Sequence, residues 1–287
     1  MNPRTSILCA LFVASPLVFA DAEFDSRINA GKAAMASGNY ATAQVEMQAA
    51  LQNARKRSDQ AGIFVASTYL SKACRFQGNL KDAEPAAQLA KTTADKLGDR
   101  QAISGASMEL GLLYRAQGRL SEAEPLMKRA VAIDEQDFGK DHPNVAAGLN
   151  NLATLYSMQK RYSEADAALR RSLAIYQATR GPDDPYVAMV LANLGEIKSQ
   201  QQDYASAGTY FEQSLQIREK RLPPSHPDLG NTFNLLGYAR LKQGKPAEAK
   251  QLFQHAYELL NKAVGEDHPL TKNARTGIAL AEKELAK

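Results

Sequence analysis

Residues 142–183 read HPNVAAGLNNLATLYSMQKRYSEADAALRRSLAIYQATRGPD, and two helical faces can be traced in them. Leu149, Leu152, Ala153 and Tyr156 fall at i, i+3, i+4 and i+7, the apolar stripe of a first helix, A. After a break at Lys160-Arg161, the residues Tyr162, Ala165, Leu169, Ser172, Leu173 and Tyr176 mark the inner face of a second helix, B. Two antiparallel helices approach closely only where the side chains at the crossing are short. That places Ala153 and Ala165 at the joint.

The same joint recurs along the chain. The helix-B alanine returns as Ala43, Ala83, Ala123, Ala165, Ala207 and Ala249, in steps of 40 and then 42 residues. Twelve residues before each stands a small crossing residue: Gly31, Ser71, Gly111, Ala153, Gly195 or Gly237. Seven residues after each stands another: Ala50, Ala90, Ala130, Ser172, Ser214 or Ala256. The A–B turn repeats too, as Gly38-Asn39, Gly78-Asn79, Gly118-Arg119, Lys160-Arg161, Gln202-Asp203 and Gly244-Lys245. Glycine there takes the left-handed conformation that ends a helix, so Lys160 and Gln202, which replace it, are expected to be strained. Between units run Asp141-His142-Pro143, Asp184-Pro185, His226-Pro227 and His268-Pro269. Proline suits the first turn of a helix, and the residue before it is placed to cap free N–H groups. A fixed period of this length marks a helical repeat array, and an array builds an extended surface rather than an enclosed catalytic pocket.

The first 20 residues stand outside this pattern. Arg4, an apolar run from Ile7 to Ala14, and Val18-Phe19-Ala20 before Asp21 have the layout of a cleaved export signal. Export to a bacterial-type periplasm, or release from the cell, is the expected destination. Later apolar runs are too short to span a bilayer. Loss of Arg4 would leave 34 basic residues against 31 acidic ones, a mild and mixed charge. That balance, with no basic–aromatic motif, argues against a nucleic-acid partner. Cys74 would then be the lone cysteine, expected as a buried thiol.

These columns resemble the tetratricopeptide repeat. Gly111, Tyr114, Ala123, Met127 and Ala130 carry the family pattern in one unit, and Ala153, Tyr156, Ala165, Leu169 and Ser172 carry it in the next. The 42-residue step with an Asp-His-Pro linker is similar to the kinesin-light-chain-type variety. The resemblance spans about residues 24–260. It departs from the pattern at Arg27, Ala30 and Ala34 in the first unit, and at Cys74, Lys198 and Arg240, which replace the tyrosine. It implies an all-α, right-handed α-solenoid of about six helix pairs over residues 21–269, closed by a capping helix over 270–287. The ends of the array are expected to be looser than its middle.

Nothing in the chain points to catalysis or to a cofactor. There is no nucleophile elbow, no phosphate loop and a single cysteine after the leader. His142, His226 and His268 lie whole repeats apart and read as helix caps, since zinc needs three or four ligands converging at about 2 Å. The expected function is therefore a non-enzymatic scaffold that binds an extended peptide or partner protein. Two alternatives stand beside it: a structural subunit of an envelope or secretion assembly, and an accessory regulator of a separate enzyme. In the resembled family helix A lines the concave face. Two positions before the crossing residue stand Asn151 and Asn193, which match the family's groove asparagines, and three before it stand Asn150 and Asn234. Asparagine carries donors and an acceptor and so holds a peptide backbone without reading its sequence. Lys72, Arg75 and Arg115 are placed to face the same groove, where they would favour an acidic peptide or a free carboxylate.

Overall fold

Each linker proline begins a helix. Pro143, Pro185, Pro227 and Pro269 open helices whose preceding residue, His142, Asp184, His226 or His268, accepts a hydrogen bond from the backbone N–H two residues on. In the computed structural model, which describes residues 22–287, thirteen helices follow one another and no strand occurs among those residues. The leader expected at residues 1–20 lies outside the described residues.

The helices pair in sequence. The first pair is α1 (Ala22–Ala36) with α2 (Tyr40–Lys56), then α3 (Gln60–Phe76) with α4 (Leu80–Leu97), and α5 (Arg100–Ala116) with α6 (Leu120–Phe138). There follow α7 (Pro143–Met158) with α8 (Tyr162–Arg180), α9 (Pro185–Gln200) with α10 (Tyr204–Arg221), and α11 (Pro227–Lys242) with α12 (Pro246–Val264). The last helix, α13 (Pro269–Leu285), packs on both α12 and α11. The chain is an all-α solenoid.

Packing follows the small-residue columns. All six helix-B alanines, from Ala43 to Ala249, are fully buried. The crossing residue is small because a knob from helix B fills its place. A Cβ on Gly195 would come within 2.5 Å of the Phe211 ring, and one on Gly111 within 2.8 Å of Met127. Ser172 has a second task. Its hydroxyl donates to the Ala146 carbonyl at 2.8 Å, tying α8 to α7 of its own unit, and Ser214 does the same to Ala188. Lys160 and Gln202 are indeed left-handed, at φ 60° and 64°, where the other inner turns carry glycine. Ser58 joins them at φ 55°, in the short linker before α3. Cys74 is buried, and burial pushes its thiol up.

Candidate functional site

The backbones of successive A helices (α1, α3, α5, α7, α9, α11 and α13) approach one another along the array, while among the described residues the B helices meet only through long side chains, as Arg171 does with Glu135. The A row is thus the tighter, inner side of the curve, and its free side chains line a groove.

The asparagines fall into two groups. Asn193 donates through Nδ2 to Oδ1 of Asn150 at 2.7 Å, linking α9 to α7 on the inner face. Asn151 points its Nδ2 at the Met108 sulfur, 3.9 Å away. Both Asn151 and Asn193 are half-buried, and no hydrogen bond among the described residues uses their side-chain oxygens. Asn234 is different. It is buried and donates to the Leu270 carbonyl at 3.0 Å, fastening α11 to the terminal helix.

The cations also divide. Lys32 and Lys72 both stand over the Tyr69 ring, at 5.2 and 5.3 Å, a shared cation–π seat. Arg75 is committed within the fold: it holds both oxygens of Glu109 at 3.1 Å, and Ser71 donates to the same carboxylate. Glu109 is only 2 % exposed, so the pair is a buried structural one. Arg115 has no such partner. Its guanidinium donates to the Asn151 carbonyl at 3.3 Å, and no carboxylate pairs with it among the described residues. Burial lowers its pKa and the neighbouring Arg75 charge lowers it further, so this cation would gain from an anion. Two units along, Glu196 is half-buried on α9 without a hydrogen bond among the described residues. Burial raises its pKa, against a smaller opposing pull from Arg218.

Sequence reasoning missed the polar staples between units. Arg119, in the α5–α6 turn, reaches Glu84 of the previous unit and Glu122 of its own, both at 2.7 Å. Arg161 repeats this with Glu124 and Glu164. Glutamines reinforce them: Gln117 donates to Glu84 and Gln159 to Glu124. The signal was present, because Arg119 and Arg161 share one column of the repeat and Glu84 and Glu124 share another. On the outer side, a cleft of about 440 Å³ between α10 and α12 holds Glu212 and Glu248, both paired with Arg240. Glu219, which also lines it, has no ion pair among the described residues.

Helix pairs of this spacing, with small crossing residues and an inner groove, define a class of repeat protein. The tetratricopeptide-repeat family model matches residues 103–178, 166–220, 186–262 and 228–287. The chain belongs to the tetratricopeptide-repeat family, whose members are typically protein- or peptide-binding modules. The matches begin at 103, after the units that depart most from the pattern. No curated relative matches the chain. Among solved structures, BtubC (BKLC) from P. vanneervenii is similar, at 22 % identity over 87 % of this chain and 95 % of that one, with a TM-score of 0.64. A putative kinesin light chain from Podosopora anserina is 22 % identical over 69 % and 95 %, with a TM-score of 0.58. NprR in complex with its cognate peptide NprX is 16 % identical over 94 % and 83 %, with a TM-score of 0.63. Identities this low speak to the fold.

Proposed function

We propose that the chain is a non-enzymatic adaptor that binds an extended peptide, or a peptide-like segment of a partner protein, along the A-helix groove. The observation that carries this reading is the cluster at the middle of the inner face. There Asn151 and Asn193 keep free side-chain acceptors, and Arg115 is a half-buried guanidinium without a carboxylate partner. Amide groups suit a peptide backbone, and a desolvated arginine suits an acidic side chain or a terminal carboxylate. NprR, similar in fold, is a tetratricopeptide-type neighbour solved with a peptide bound, which supports the reading by analogy of architecture alone.

Replacing Asn151 and Asn193 together with alanine should abolish partner recovery in a pull-down from the native host, with helicity intact. Undiminished recovery by that variant would refute groove binding. On the leader-like first 20 residues, the proposed place of work is the periplasm. N-terminal sequencing of the protein recovered from periplasmic and cytoplasmic fractions tests this, and an intact Met1 in the cytoplasm would count against it.

A further inference from the structure

Between α5, α6 and α7 the inner face sinks into a cavity of about 220 Å³, walled by Ser104, Gly105 and Met108 on one side and Asn144 and Asn151 on the other. Asp134 of α6 forms its floor. That side chain is 9 % exposed and one of its oxygens accepts from Ser104 Oγ at 2.7 Å. No lysine or arginine pairs with it among the described residues. Burial raises its pKa, the Ser104 hydrogen bond opposes that rise, and the Asp137 carboxylate adds to it. Carboxylates offer about four acceptor positions, and one hydroxyl fills a single one of them. A buried charge left in this state is costly unless a counter-charge arrives.

Two comparisons within the array show that the cavity is not ordinary packing. The position eleven residues after the helix-B alanine holds Ala54, Ala94, Tyr176, Arg218 and Leu260 in the other units, and a carboxylate in the third unit only. Gly105 is also unusual. Glycine in mid-helix costs roughly 0.5–1 kcal/mol relative to alanine, and the buried glycines of this fold make room for a neighbouring side chain. A Cβ on Gly105 would meet nothing within 4 Å. What the missing side chain does is keep the mouth of the cavity open, at a column occupied by Asp25, Val65, Ala147, Met189 and Asn231 elsewhere.

We propose that this cavity receives one cationic side chain, a lysine or arginine, of the peptide lying in the groove, with Asp134 as its counter-charge. The proposal rests on the groove reading above. The methylene stem would lie against Met108 while its charged head reaches the carboxylate. Asn151 borders the cavity and its carbonyl holds Arg115, so the cation site lies beside the anion site. A peptide carrying a basic residue close to an acidic one satisfies both.

The test uses the full chain, immobilised, and two fluorescein-labelled pools of short random peptides, one with lysine fixed at the central position and one with norleucine. The lysine pool should bind about tenfold more tightly, the effect of roughly 1.4 kcal/mol. Asp134→Asn keeps the Ser104 hydrogen bond and should erase the preference. Gly105→Leu, whose Cβ would meet no atom within 4 Å, places a bulky side chain at the mouth and should erase it too, which keeps the test decisive if Asp134→Asn folds poorly. Equal binding of both pools, lowered by the Asn151 and Asn193 double variant, would overturn the cation site and leave groove binding standing. Binding of neither pool would overturn both.

Discussion

Gly195 on α9 and Gly105 on α5 both lie on inner helices, yet alanine at each should act with opposite sign. At Gly195 the new Cβ would fall 2.5 Å from the Phe211 ring, so the knob must move. Overpacking of this kind costs about 1–3 kcal/mol. At Gly105 the Cβ enters open space, and the helix gains about 0.5–1 kcal/mol. Urea denaturation of the two variants should show Gly195→Ala unfolding earlier than the parent and Gly105→Ala later. Equal midpoints would contradict this account of the small-residue column. The two glycines look alike in sequence. One was legible because it keeps the repeat period. The other was not, because its meaning depends on what lies across the inter-helix gap, and no periodicity encodes that.

Between elements, the seams join helix B of one unit to the A–B turn of the next. Glu124 stands at the centre of one such seam, 17 % exposed, with Lys128 at 2.6 Å and Arg161 at 2.7 Å. Burial pushes its carboxyl up, but hydrogen bonds from Lys128, Arg161 and Gln159 outweigh burial and hold it at about 2. A carboxyl depressed below its unfolded value stabilises the fold above that value and loses its effect as the pH falls toward the folded one. The contribution is therefore complete above about pH 4.5 and fades down to about pH 2. Discounted for partial exposure, it is on the order of 1 kcal/mol. Thermal melts across this window should show a steeper loss for the parent chain than for Glu124→Gln. Parallel curves would remove Glu124 from the acid-sensitive seam. The caps at these joints were legible, since proline after aspartate or histidine has a local meaning. The staples escaped notice because an arginine in a turn reads as solvated until its partner from the previous unit is beside it.

Across the whole molecule, stability in an array is the sum of units and their interfaces. Helix α1 buries only Ile28, Gly31 and Ala34. The inner helices α3, α5, α7 and α9 bury eight or nine residues each, with neighbours on both sides. Amide hydrogen exchange should therefore be fastest in α1 and slowest in α3, α5, α7 and α9, and uniform protection would show that the array unfolds as one block. The number of helices, their pairing and their joints were set by the sequence itself, because a repeat brings its partner residues together at constant, short separation. Asn151, Asn193 and Arg115 were also picked out by column. What only the tertiary structure decided is which polar residues remain free. Arg75 and Arg115 share one column, yet Glu109 neutralises the first and no carboxylate among the described residues neutralises the second. Asn234 shares a column with Asn150 but is held by the Leu270 carbonyl. Asp134 looked like any helix acid until α5 and α7 closed over it. Packing is periodic and can be read along the chain. The pairing of charges joins one unit to the next, and it becomes visible only when both are in place.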